Sequence, residues 1–139
     1  YPRDRVVAKS SKPHYNEMNV LSMHALIGAY KPEGYEWVDE LRQVLTGNVD
    51  FACNYIKEHF EGVEVSRPQG TYMLFLDCTK WCGKSIDEVQ KAGWDVGVAW
   101  QDGRMFLHPC AIRMNLALPL SRVKEAFERL DKYVFNRIK

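Results

Sequence analysis

Between Trp37 and Phe60 the apolar residues Trp37, Leu41, Leu45, Val49, Ala52, Ile56 and Phe60 recur at three- and four-residue intervals, flanked by Val38, Val44 and Tyr55. That period lines one face of a helix of about seven turns, which must lie against other apolar surface. Acidic Glu33, Glu36, Asp39 and Glu40 gather near its start, where the helix dipole favours them. Pro32 suits a first helical position, Gly47 marks a bend, and Gly62 is a natural stop. A chain of 139 residues with 46% apolar content can supply the covering surface as one globular domain of ordinary size.

The surrounding pattern predicts the cover. Residues 1–13 read as a strand end or arm that stops at Pro13, and His14 to Tyr30 as a largely buried helix. Beyond Gly62 the period changes to two. Val63-Glu64-Val65, a turn at Arg67-Pro68-Gln69-Gly70 and the β-prone run Thr71 to Leu76 make a hairpin with a central second strand. Ser85 and Glu88 have capping-box spacing for a short helix that Gly93 closes. Val96 to Ala99 and Met105 to Leu107 read as short strands around an Asp102-Gly103 turn. Ala111 to Leu118 alternates, and Ser121 is a candidate cap for a last helix with the stripe Leu120, Val123, Phe127, Leu130, Val134 and Ile138. The fold class expected is α/β in the α+β sense: helices on a small, mostly antiparallel sheet, preceded by a long helix.

Several functions find no support. A net charge of +1 gives no field for nucleic acid or an anionic membrane, and the basic residues of the last helix interleave with acids. No stretch approaches a membrane span and no start resembles a signal peptide, so a cytosolic chain is expected. The opening at Tyr1 suggests a piece of a longer protein. The glycines sit singly, without a phosphate-cradling loop. Cys78-x-x-x-Cys82 with His108-x-Cys110 could be written as a zinc site, but its spacing matches no usual finger or ribbon, and buried thiols are the expected reading. His108 with Asp77 or Asp102 could be an acid–base pair, but no elbow or metalloprotease motif accompanies it and a structural histidine is expected.

Arg113 is the residue that packing explains least. It sits in mid-strand between Ile112 and Met114 as a permanently charged fork, able to hold a carboxylate by two parallel hydrogen bonds. The competing reading is an edge-strand arginine paired with Asp77 or Asp102. Asn115, two residues on and facing the same side, is expected to orient or support it.

The run Arg113-Met114-Asn115-Leu116-Ala117-Leu118-Pro119, followed by Val123, Ala126 and Glu128-Arg129-Leu130, resembles the C-terminal signature of fold-type I pyridoxal-phosphate enzymes. The match is to class I and II aminotransferases, in particular their cystathionine beta-lyase-like branch. Ala29-Tyr30, Trp37 to Leu41, Gly47-Asn48, Pro68 to Tyr72, Leu76-Asp77, Gly97-Val98, Asp102-Gly103 and Phe106 agree in order. The resemblance implies that residues 33–139 are the small C-terminal domain and 1–32 the segment leading from a large cofactor domain. It also implies that Arg113 grips the α-carboxylate of an amino-acid substrate. Pyridoxal phosphate, its lysine and its phosphate loop would belong to that large domain, so no catalytic or cofactor residue is expected in this chain, which alone would be inactive. Lys12, in Ser10-Ser11-Lys12-Pro13, imitates the cofactor-bearing lysine but falls too late in the alignment. Where the family has a Gly-rich loop before the arginine, this chain has Leu107-His108-Pro109-Cys110. The implied activity is β-elimination from a cysteine-like amino acid giving thiol, pyruvate and ammonia, in a cytoplasmic homodimer. Amino transfer is the alternative, and a non-catalytic module binding amino acids or protein the alternative of another class.

Overall fold

The computed structural model describes residues 2–10, 18–81 and 85–136. The chain divides into two compact units, Tyr1–Glu40 and Leu41–Lys139.

The first unit holds α1 (Pro2–Ser10), α2 (Val20–Ala29) and the start of α3 (Pro32–His59). Residues 2–10 are thus helical rather than a strand or arm. Pro2 occupies the first helical position, and Asp4 and Lys9 complement the dipole at opposite ends. Helix α2 is capped by Asn19, whose side chain accepts the Ser22 N–H at 2.8 Å. The expected burial of this helix does not occur: none of its residues is buried, and Leu21 is 82% exposed. Its apolar residues go nearly all the way round, so periodicity gave no face to assign to a core. Tyr30 and Tyr35 meet edge to face across the turn into α3.

In the second unit the order is β1 (Glu64–Val65), β2 (Met73–Asp77), α4 (Ile86–Asp95), β3 (Gln101–Asp102), a 3-10 turn (Gly103–Phe106), β4 (Ala111–Asn115), α5 (Leu120–Leu130) and a π-helical turn (Asp131–Phe135). The strands form one antiparallel sheet in the order β1-β2-β4-β3. Leu74, Leu76, Ile112 and Met114 cover one face and are buried with Val49, Ala52 and Ile56 of α3, Val89 of α4, and Val123 and Phe127 of α5. Phe60 stacks on Phe127 and tilts against Phe135, closing the apolar layer at the end of α3. Gly62 follows with φ +77°, a conformation that costs glycine nothing.

The Ser85–Glu88 capping box forms as expected. Gly93, however, lies inside α4, where a Cβ would sit 2.5 Å from the Trp100 ring; the left-handed glycine is Gly97. Residues 96–99 form no strand, and Met105-Phe106 belongs to the 3-10 turn, whose cap is Asp102 accepting the Arg104 N–H at 2.8 Å. The side-chain bond at Asp102 diverts the backbone from the hairpin expected there. Pro119 rather than Ser121 precedes α5, with no side-chain cap.

Among the described residues, no helix is long and apolar enough to cross a membrane and no cluster of metal-ligating side chains exists. Cys82, one member of the written zinc site, lies outside them, as do Ser11, Lys12 and Pro13.

Candidate functional site

Strand β4 is interior, with β2 on one side and β3 on the other, so Arg113 is not an edge-strand residue. Its alternation puts Ile112 and Met114 into the core and Arg113 and Asn115 on the outer face. In register, Arg113 is opposed by Phe75 on β2 and Gln101 on β3. Its Nε–H donates to Gln101 Oε1 at 2.6 Å, and its Cζ lies 4.3 Å from the centroid of the Phe106 ring. Phe106 in turn meets Phe75 edge-on at 6.1 Å. One edge of the guanidinium is therefore pinned by a neutral amide and one face covered by an aromatic ring, a contact worth about 0.5–1 kcal/mol at a partly exposed site.

The acids named as competing partners are engaged elsewhere. Asp102 and Asp87 both bind Arg104, with Nη2 at 2.6 Å from Asp102 and 2.7 Å from Asp87. This holds the Asp102 carboxyl below the usual carboxylate range and raises the Arg104 guanidinium. Asp77 accepts the Thr79 N–H at 2.8 Å and lies 3.4 Å from His108 Nε2. Its carboxyl is likewise held low, chiefly by Thr79 and secondarily by His108. Among the described residues no carboxylate pairs with Arg113, so its two terminal nitrogens face outward as an unspent fork. Beside it a depression of about 270 Å³ is lined by Met73, Ala99, Trp100, Gln101, Arg113 and Asn115.

Asn115 accepts the Ala117 N–H at 2.7 Å, turning the chain out of β4. His108 has both nitrogens occupied: the Cys110 N–H donates to Nδ1 at 3.3 Å, leaving the Nε2 proton for Asp77. The lone pair of Nδ1 is engaged by the Cys110 N–H, so none is left free to act as a base. It borders a wider groove of about 740 Å³ beside β1, away from Arg113's own depression.

Two contributors escaped the sequence reading. Gln101 was invisible because a two-residue strand carries no period. Asn48, 1% exposed, donates both amide hydrogens, to Leu116 O and Leu118 O at 2.8 Å each, and anchors the exit of the strand that bears Arg113. A polar residue on the buried stripe of α3 was the available signal.

No protein-family model matches the chain. It is 30% identical over 119 residues to aspartate aminotransferase of Bacillus sp. (strain YM-2), covering 81% of this chain and 30% of that protein. It is 32% identical over 117 residues to cystathionine beta-lyase of Corynebacterium glutamicum, again covering 81% of this chain and 30% of the relative. A crystal structure of a PLP-bound candidate aminotransferase from Clostridium difficile 630 superimposes over 95% of this chain and 35% of its own, with 28% identity and a TM-score of 0.81. The chain belongs to the fold-type I aminotransferase and C-S lyase family. It spans about a third of the length of these family members, and its α+β fold with a preceding long helix is the family's. Pyridoxal phosphate is the cofactor of this family. The residues around the Arg113 depression offer no amine for its aldehyde and no second unpaired cation for its phosphate. By themselves they do not fit the cofactor.

Proposed function

We propose that residues 33–139 are the small C-terminal domain of a pyridoxal-phosphate enzyme acting on amino acids, and that Arg113 holds the substrate α-carboxylate. The observation that carries this reading is the outward fork of Arg113, fixed at Nε by Gln101 and at its face by Phe106 yet paired with no acid among the described residues. A half-exposed guanidinium held at one edge and one face and paired with no acid is set to receive an anion, and a carboxylate completes it bidentately. The cofactor would be bound by the large domain, to which residues 1–32 lead, and would supply the electron sink. This chain's part is to orient the amino acid, and alone it is inactive.

The reaction we favour is β-elimination from a cysteine conjugate or cystathionine, giving thiol, pyruvate and ammonia, in a cytoplasmic homodimer. Amino transfer is the second reading, favoured by the equal span of the aspartate aminotransferase match. The same carboxylate grip serves both. Supplying the full-length enzyme with L-cystathionine and assaying pyruvate separates them: amino transfer to an added 2-oxo acid without pyruvate refutes the lyase reading. For the grip itself, charge-assisted hydrogen bonds are worth about 1.5–3 kcal/mol each, so Arg113→Ala should lower kcat/KM about a hundredfold or more. Arg113→Lys, keeping charge without the fork, should fall between. A variant that lowers the melting temperature but leaves kcat/KM near wild type would refute the grip.

A further inference from the structure

Gln101 pins the Arg113 guanidinium with only half of its side chain. Its Oε1 accepts the Arg113 Nε–H at 2.6 Å. Only the oxygen of a carboxamide can meet an N–H, so that bond fixes which way the amide is turned. The two Nε2 hydrogens remain, and among the described residues they donate to nothing.

The depression that Gln101 shares with Arg113 is lined by Met73, Ala99, Trp100 and Asn115 besides, and no acid is among them. Asn115 is turned in the same sense. Its Oδ1 accepts the Ala117 N–H at 2.7 Å, and its Nδ2 hydrogens are likewise unspent among the described residues. Both amide oxygens are therefore consumed within the fold. What the lining side chains have left to offer a ligand is polar hydrogen: the fork of Arg113 and two amide NH2 groups. A lining of donors without a side-chain acceptor suits an oxyanion and leaves a cation unmet.

The ligand's own acceptors match that surplus. A carboxylate has two oxygens with about four lone-pair sites. With Nε closed by Gln101 and one face covered by Phe106, it meets the fork end-on at Nη1 and Nη2, using one site on each oxygen. The remaining sites call for further donors, and Gln101 Nε2 belongs to the very amide that touches the guanidinium.

We infer that Gln101 is a second binding residue for the substrate α-carboxylate, donating from Nε2 to an oxygen that Arg113 holds, so that one amide both pins the fork and shares its ligand. This rests on the reading of Arg113 as the carboxylate grip.

The test uses the full-length holoenzyme and the dissociation constants of 2-methylalanine and isopropylamine, read from the change in cofactor absorbance. Isopropylamine is 2-methylalanine without its carboxylate, and 2-methylalanine has no α-hydrogen, so its binding is read without turnover. The ratio of the two constants measures carboxylate recognition alone. Gln101→Met has similar length and neither donor nor acceptor, and it should cut the ratio about tenfold or more, the size of a hydrogen bond to a charged group. A donor that touches the ligand acts without Arg113 as well. In the Arg113→Ala background Gln101→Met should therefore still cut the remaining ratio at least about threefold. If that cut disappears, Gln101 only positions Arg113 and the inference is overturned. It is overturned equally if Gln101→Met alone lowers the melting temperature and leaves the ratio unchanged. Arg113→Ala by itself separates the two levels. A ratio that stays at the wild-type value refutes the grip, and with it the inference. A ratio that collapses, while Gln101→Met moves nothing, refutes the second donor and leaves the grip standing.

Discussion

Replacing Asn48 tests how the strand carrying Arg113 is held. Its amide donates one hydrogen to Leu116 O and the other to Leu118 O, both at 2.8 Å. Leu118 N–H also donates to Leu116 O at 2.8 Å, so the Leu116 carbonyl accepts twice while the Leu118 carbonyl is partly buried. Asn48→Ala removes two hydrogen bonds worth about 1 kcal/mol each, and the desolvated Leu116 carbonyl keeps its second donor, which limits the further penalty to about 1 kcal/mol. The small cavity left by the carboxamide brings the total to about 3–4 kcal/mol. Against a domain stability of about 5–15 kcal/mol, that is a large fraction, and it should appear as a melting-temperature drop of roughly 10–20 °C for a unit of this size. Urea unfolding followed by circular dichroism measures it, and an unchanged m-value establishes that the native state, not the unfolded one, has changed. The chemistry also fixes an order. Asn48→Asp has nearly the same shape but sets a carboxylate against two carbonyl oxygens, so it must be worse than Asn48→Ala. If the aspartate variant is as stable as the alanine variant, or the alanine variant loses less than about 0.5 kcal/mol, the clamp is not what holds this strand end.

Gly93→Ala should destabilise by about 1–3 kcal/mol, read as a lower melting temperature, because the new methyl enters the Trp100 ring; this outweighs the roughly 1 kcal/mol that alanine gains in helix propensity. A stabilised variant would show that α4 does not press on Trp100. The Asp77 carboxyl is held below its ordinary value by Thr79 and then His108, so its contribution to stability is present above the unfolded carboxylate pKa and is lost as pH falls through the lowered folded value. Asp77→Asn should therefore flatten the acid limb of stability below about pH 4, and an acid limb of unchanged steepness in urea melts would contradict it.

Elements whose sequence pattern and burial coincide were legible. The stripe of α3 from Val49 to Ile56, the alternation of β4 and the Ser85–Glu88 box each report one local preference that tertiary structure reinforces, whereas the first half of the α3 stripe is exposed, Trp37 at 61%. The turn at 102–107 was misread because Asp102 and Gly103 favour a hairpin in isolation. The close approach of Gly103 to Ala111 and the bond from Asp102 to Arg104 exist only once β4 is in place. The exposure of α2 was illegible for a different reason: hydrophobicity sets the drive to be buried, and a helix apolar on all sides leaves the covering surface undefined. Arg113 stood out because a charge between two core positions conflicts with packing, whereas Gln101 conflicts with nothing and shows its role only through register.

That role accounts for why Arg113 remains available at all. A guanidinium in the middle of a sheet needs its Nε–H satisfied and its ring-like face covered, or it will seek the nearest acid. Asp77 and Asp102 sit on the neighbouring strands, each within a residue or two of the positions opposite it. Thr79 with His108 holds the first and Arg104 holds the second, so the acids nearest the fork are already neutralised. Gln101 then supplies an acceptor with no charge. Had position 101 been glutamate, the Nε contact would be stronger and the fork's charge consumed within the fold. A neutral acceptor at the edge, an aromatic ring at the face and acids bound to other partners together keep the positive charge directed outward, which is the condition a carboxylate-binding site has to meet before any ligand arrives.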